Sequence, residues 1–309
     1  MTPLISFLVV TDTAATIERV LEALRRQTIR DRVELVVACP SERTLGLRPE
    51  HVEGLGAVTV VEVDAVSPLE RAQAAALRAS TAPLFVIGET HAFPAPDALA
   101  AYVEAFADPT VGGVAPRLEN GNPESAASWA SLMVTYGRAI GGARREVEAM
   151  SRHNGAYRRE LFDYPQDELA FKLANGGGAD ADIRARGFRL VYEPAAVMAH
   201  LNVVALGATV KDRFYSARCY AAARSRDWSP ARRAAYVALS PLLPLVLGAR
   251  VLRSTGWAAH RARMPRGVLP YVAVALVAVA AGEAAAYAVG AGAARDRITP
   301  YELWRERYL

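Results

Sequence analysis

The sequence predicts an α/β fold, a mostly parallel sheet flanked by helices, followed by a C-terminal apolar helical hairpin. Three observations carry this. Short β-rich apolar runs alternate with helix-period segments through residues 4–87, and such alternation implies parallel strands joined by right-handed crossovers. The fourth run ends in Gly88 and then breaks into the polar triplet Glu89-Thr90-His91. Composition shifts after Trp228 to two apolar stretches separated by arginines.

The elements follow in order. Residues 4–10 are an apolar, β-rich first strand. Thr11-Asp12-Thr13 can cap a helix, and Ile17, Val20, Leu21 and Leu24 then fall at helical spacing. Residues 33–39 and 58–63 read as the second and third strands, 67–80 as an alanine-rich helix and 84–87 as the fourth strand. A helix over 96–107 and a strand over 111–117 come next. Residues 119–123 are a turn cluster. Residues 125–140 read as a helix, and 152–159 as a polar junction entering a strand. Asp167-Glu168 opens a short helix, and Gly176-Gly177-Gly178 interrupts the chain. A helix ending at Gly187, a strand over 188–192 and the run Glu193 to His200 close the region.

The totals bound the function. The chain has 309 residues and is 52% hydrophobic, with a mean hydropathy of +0.11. That is high for a wholly soluble chain, so part of it should meet a membrane or a very apolar partner. Lys172 and Lys211 are the only lysines, so nearly all positive charge is arginine, the better phosphate fork. A nucleic-acid partner would require a dense basic face with interleaved aromatics, and the first two-thirds of the chain holds no such run. Cys39 and Cys219 are too few for a disulfide framework, and Cys39 reads as a reduced core thiol. The apolar N-terminus lacks the basic start and small-residue cleavage site of a signal peptide and reads as the first strand, so the domain it opens is expected to be cytoplasmic.

Ligands of open α/β sheets collect at the carboxyl ends of strands. Glu89 and His91 stand at such an end, and carboxylate oxygen and imidazole nitrogen both serve divalent cations. They can equally cap the next helix and face water, so both readings stay open at this point. The turn after the first strand has no G-x-G-x-x-G, and no G-K-[ST] occurs anywhere. A bound nucleotide would therefore lack a glycine-rich phosphate loop, and a divalent cation could neutralise its diphosphate.

The ordered set of residues over about 4–228 resembles a family-2 glycosyltransferase with the GT-A fold. In that family the fourth strand ends in an acidic D-x-D-type motif that holds a divalent metal, Mn²⁺ or Mg²⁺, on the sugar-nucleotide diphosphate. Glu89-Thr90-His91 stands in its place, with a glutamate and a histidine where two aspartates are usual. Pro194 to His200 is similar to the family segment P-x-A-x-V-x-x-H, which makes His200 a third metal ligand beside Glu89 and His91. Ala179-Asp180-Ala181-Asp182-Ile183 resembles the E-D-x-D-L-like motif without its first acid. The resemblance implies Asp180 as catalytic base, with Asp182 second and Asp167 and Glu168 in reserve. Cys39-Pro40-Ser41 occupies the place of the usual base-contacting acid. Thr11, Asp12, Cys39 and Glu89 are the implied donor-binding residues. Asn154-Gly155 resembles the acceptor-side turn.

The C-terminal third adds a membrane expectation. Residues 234–249 are apolar but hold Pro241 and Pro244, and residues 268–294 are apolar except for Glu283. A span needs about 20 residues, so only the second stretch is long enough. Five arginines lie between the two stretches. A simple hairpin would carry them across the bilayer, against the positive-inside tendency. A re-entrant or interfacial arrangement follows instead, with Glu283 paired or turned to a protein interior. Arg224, Arg226 and Trp228 at the junction could hold an acceptor head group.

The expectation is therefore two domains, a catalytic one over 1–228 and a membrane-associated one over 229–309. The implied activity is inverting transfer of a sugar from a nucleotide-sugar donor to a lipid-linked or polysaccharide acceptor at the cell membrane. The catalytic domain would lie on the cytoplasmic side, and the C-terminal helices offer a surface for membrane lipid or a second copy. Two alternatives stand beside it: a nucleotidyltransferase of similar topology, and a degenerate homologue acting as a membrane scaffold.

Overall fold

A computed structural model describes residues 2–137, 140–174 and 178–309. Gly176 and Gly177 of the expected glycine interruption lie outside the described residues. Packing divides the chain into two compact units. One is built from Met1–Glu119, Ala143–Leu173 and Gly178–His200, the other from Asn120–Gly142 and Leu201–Leu309.

The first unit is a nine-stranded mixed sheet with helices on its faces. Its strands are β1 (Ile5–Val10), β2 (Val33–Cys39), β3 (Ala57–Glu62), β4 (Leu84–Ile87), β5 (Ala92–Pro94), β6 (Val111–Asn120), β7 (Arg145–Val147), β8 (Ala156–Arg158) and β9 (Arg189–His200). Their order is β3-β2-β1-β4-β8-β6-β9-β5, with β7 paired to β9. The first four strands run parallel, with Phe7 opposite both Leu35 and Val86. β8 reverses direction against β4 and β6. β1, β2 and β4 are buried at every residue, as parallel strands covered on both faces must be. Helices α1 (Glu18–Arg25), α2 (Glu42–Leu45), α3 (Leu69–Ala79), α4 (Ala98–Ala105), α6 (Gln166–Leu173) and α7 (Ala179–Ala185) complete the unit.

The strands and helices predicted up to residue 117 are present, most of their bounds within two residues of those expected, and β6 runs three residues further, to Asn120. Two strands are additional. β5 has only three residues and contains Pro94, too short to show a period. β7 pairs with β9 through a three-residue register. The expected strand over 188–192 and the run to His200 are one continuous strand, β9.

The second unit is helical. It holds α5 (Ala126–Tyr136), α8 (Leu206–Arg224), α9 (Pro230–Leu239), α10 (Leu243–Leu252), α11 (Thr255–His260), α12 (Val268–Val289) and α13 (Ala294–Leu303). α12 is its centre, and α5, α8, α9 and α10 pack against it. The seam thus differs from a single cut after Trp228, because α8 buries its side chains along α12. Pro230–Leu252 and Val268–Val289 are both long and apolar enough to cross a membrane, with 11% and 50% of their apolar windows buried within the protein.

Candidate active site

The site begins where β4 stops. Gly88 donates its N–H to Leu8 at 2.8 Å, which continues the ladder with β1 for one residue. A Cβ on Gly88 would lie 2.2 Å from the ring of buried Phe7, so only glycine lets the chain pass this ring. Glu89, Thr90 and His91 follow, all buried, and lead directly into β5. In the antiparallel pairing of β5 with β9, Ala92 stands opposite His200. That register carries His200, distant in sequence, to the side of His91.

Glu89 is the centre of the group. His91 Nε2 lies 3.7 Å from Oε1 and His200 Nε2 lies 3.4 Å from Oε2. The two imidazoles meet edge to face with centroids 4.9 Å apart. One ligand atom from each of the three residues falls within a 4.8 Å set, the arrangement a single cation requires. Histidine nitrogens and a carboxylate oxygen suit borderline first-row divalent ions, while Mg²⁺ favours oxygen-only ligation.

Two further residues hold Glu89, one of them without a trace in the sequence. His153 Nδ1 donates to Glu89 Oε1 at 2.7 Å, and Asn154 Nδ2 donates to Oε2 at 2.6 Å. Burial pushes the Glu89 carboxyl up, but the adjacent His91 and His153 charges and the hydrogen bonds from His153 and His200 outweigh it. The group is held well below the usual carboxylate range. Asn154 sits in the left-handed region at φ 60°, which asparagine tolerates better than most residues. Its N–H donates to Ile87 at 2.7 Å, and its carbonyl accepts from the buried Tyr102 hydroxyl. Asn154-Gly155 was expected as an acceptor-side turn. Asn154 is fully buried, and its side chain braces the Glu89 carboxylate.

The same turn reaches Asp180. Met150 N–H donates to Asp180 Oδ2 at 2.9 Å, and the Arg152 guanidinium lies close enough to stabilise its charge. Arg152 itself is buried and donates to the Lys172 carbonyl. Burial raises the Asp180 carboxyl above its ordinary value, with Arg152, the Met150 amide and the Tyr157 hydroxyl opposing the rise. Asp182, two residues further along α7, has other partners. Lys172 Nζ pairs with its Oδ2 at 2.5 Å, and the Tyr164 hydroxyl donates at 2.8 Å. Despite some burial, these contacts hold Asp182 below its usual range. One segment, residues 150–154, therefore touches both the Glu89 group and Asp180.

The other expected residues lie as follows. Thr11 is buried and its hydroxyl donates to the Thr13 carbonyl at 2.9 Å. Asp12 is half-buried and accepts from the Thr16 hydroxyl at 2.7 Å. Cys39 is fully enclosed and its thiol is pushed up by burial; neither Cys39 nor Cys219 is in a disulfide. Asp167 and Glu168 lie in the first turn of α6. Arg224 belongs to the second unit, where it pairs with Glu283 at 2.7 Å. Trp228 there stacks on Tyr287 with centroids 5.5 Å apart.

No protein-family model matches the sequence, and no curated protein matches it. Solved structures do. S. aureus TarS 1-349 superposes over 91% of this chain and 90% of its own, with a TM-score of 0.51 and 12% identity. The fold is GT-A. At that identity the likeness concerns the fold alone. A structure of GalNAc-T7 with UDP, GalNAc and Mn²⁺ covers 64% of this chain and 43% of its own, at a TM-score of 0.44 and 15% identity. That second likeness is too loose to bear on the chain's chemistry. Within the GT-A fold, the Glu89 group stands at the carboxyl end of a central strand, where such sheets bind ligands.

Proposed function

We propose that this protein is a metal-assisted, inverting glycosyltransferase that uses a nucleotide-sugar donor and a lipid-linked or polysaccharide acceptor. The observation that carries the proposal is the convergence of buried Glu89, His91 and His200 on one point at the end of β4, in a chain with the GT-A fold. In this reading those three residues hold the cation, and the nitrogen-rich set favours Mn²⁺ over Mg²⁺. When bound, the cation supplies Lewis-acid neutralisation of the diphosphate leaving group.

The chain's own residues do the rest. Glu89 stays anionic because His153 and Asn154 donate to it, so it is ready to ligate. Asp180 accepts the proton of the acceptor hydroxyl as that oxygen attacks the anomeric carbon. A carboxylate raised by burial suits a general base. Arg152 and the Met150 amide fix its orientation. With one base assigned and no nucleophile assigned among the described residues, the reaction is a single displacement with inversion, the logic of inverting hydrolases with the acceptor in place of water. Asp182, held by Lys172 and Tyr164, is assigned to positioning α7. Thr11 and Asp12, which follow β1, are assigned to the donor side, and Arg224 with Trp228 to the acceptor. We assign catalysis to residues 1–228 on the cytoplasmic side of the cell membrane, with α8 packed into the helical unit, and attachment to residues 229–309.

A thermal-shift series of nucleotide sugars, each with and without Mn²⁺, tests the reading. Metal-dependent stabilisation by one class of donor, with release of nucleoside diphosphate and an inverted product, is expected. Release of pyrophosphate instead identifies a nucleotidyltransferase. No nucleotide binding under either condition, with cellular function retained when Asp180 and Asp182 are both changed to Ala, identifies a scaffold.

A further inference from the structure

The second unit presents an apolar surface whose occupant can be read from its charge. Leu239 on α9, Leu242 in the turn between the helices, and Leu245 and Val246 on α10 are 45–74% exposed, and Val277 and Val289 on α12 are 59% and 72% exposed. Residues 228–282 contain seven arginines and no aspartate or glutamate. Trp228 and Tyr236 meet at a tilt beside this surface with centroids 4.5 Å apart, and Arg232 lies 4.0 Å over the indole. Apolar side chains, interfacial aromatics and unopposed arginines together describe a lipid surface bearing anionic head groups. A second copy on the same face would set arginines against arginines.

The other side of α12 excludes a transmembrane path. α8 lies against it, and α8 carries Lys211, Asp212, Arg213, Arg218 and Arg224 within 19 residues. The approach is close, since a Cβ on Gly282 would lie 2.3 Å from the Phe214 carbonyl oxygen. Arg224 crosses to Glu283 at 2.7 Å, and the Tyr287 hydroxyl donates to the same carboxylate oxygen at 2.6 Å. If α12 crossed the bilayer, this charged partner would enter hydrocarbon with it.

We infer that α9, α10 and the exposed stripe of α12 lie in the plane of one anionic leaflet, and that neither apolar segment spans the bilayer. This deepens the membrane attachment proposed above and does not depend on the catalytic assignment.

The full-length protein is mixed with preformed vesicles of phosphatidylcholine and phosphatidylglycerol in equal parts, and with pure phosphatidylcholine vesicles. Co-sedimentation at least about tenfold stronger on the anionic vesicles is expected, since each basic side chain near such a surface adds to the attraction. Leu245→Glu should abolish binding while leaving the circular dichroism spectrum unchanged, as the side chain is 74% exposed. In a Cys39→Ala, Cys219→Ala background, Arg266→Cys and Ala293→Cys, both outside the apolar stripe, bracket α12. An impermeant maleimide should label both from the same side of sealed membranes. Labelling from opposite sides overturns the inference. So does a dimer that forms without lipid and is broken by Leu245→Glu, with no vesicle binding. Vesicle binding in a protein that fails every nucleotide-sugar assay would sink the catalytic reading and leave this one standing.

Discussion

His153 donates its Nδ1 hydrogen to Glu89 Oε1 at 2.7 Å, and Glu89 is also the carboxylate on which His91 and His200 converge. A partner behind a metal-ligating carboxylate fixes its orientation, and losing one typically costs about 10–100-fold in metal affinity. His153→Ala should therefore weaken Mn²⁺ binding by about that factor, measured by isothermal titration. Glu89→Gln should remove it altogether. Equal Mn²⁺ affinity in wild type and His153→Ala would show that His153 does not support the site.

Asn154 separates a backbone role from a side-chain one. Glycine accepts φ 60° without strain but lacks the amide that donates to Glu89 Oε2. Asn154→Gly should lose about 1–3 kcal/mol with the buried hydrogen bond to Glu89 and weaken Mn²⁺. Asn154→Ala should show the same metal defect and lose a further ~1 kcal/mol for the left-handed Cβ. If both variants bind Mn²⁺ normally, the turn serves only the backbone.

These two residues also show what was and was not legible in the sequence. Glu89 and His91 could be found because they stand directly after a buried strand, and strand ends are visible as composition. His200 could be found through the resemblance of Pro194 to His200 to a known segment. His153 left no such trace. It reaches Glu89 because Asn154 turns left-handed, a conformation that no hydrophobic period reports. The parallel half of the sheet was readable because each strand is a short apolar run between helices. β5 and β7 were not, since three residues cannot show alternation. α8 was missed for a different reason: its buried positions include Asp212 and Arg213, so its inward face does not look apolar.

Asp180 predicts a pH dependence. Burial raises its carboxyl, so the acidic limb of kcat/KM should lie above the ordinary carboxylate value, with activity rising as Asp180 deprotonates. Arg152 opposes that rise, and Arg152→Met should move the limb to higher pH. Asp180→Asn should lower kcat by about 10²–10⁴-fold. The stability linkage has the matching sign. A folded-state pKa above the unfolded value binds extra protons in the folded state, so this contribution is full below the unfolded pKa and lost as pH rises through the folded one. A limb that stays put in Arg152→Met would detach Asp180 from the rate.

Asp182 should behave in the opposite way. Lys172 and Tyr164 hold it below its usual range, so its contribution to stability is present above the unfolded pKa and lost as pH falls through the folded one. The pair with Lys172 is only partly buried, and Asp182→Asn should cost about 1 kcal/mol in urea unfolding at neutral pH. Its effect on kcat should be far smaller than that of Asp180→Asn. A larger kcat loss in Asp182→Asn than in Asp180→Asn would transfer the role of base to Asp182.

Gly88 ties the core to the site. Its missing side chain leaves room for the Phe7 ring, which is fully buried and would lie 2.2 Å from any Cβ there. Gly88→Ala must displace either the ring or the start of the Glu89 segment, and overpacking of this kind costs about 1–3 kcal/mol. The displaced segment carries Glu89 and His91, so Mn²⁺ affinity should fall together with stability. Phe7→Leu shortens the opposing side chain and opens space on the same side. The double variant Phe7→Leu, Gly88→Ala should then be more stable than the sum of its two single losses, with a coupling of about 0.5–3 kcal/mol, and should regain part of the Mn²⁺ affinity. Strict additivity in urea unfolding would mean that the glycine is required by the turn after β4 and not by the ring beneath it.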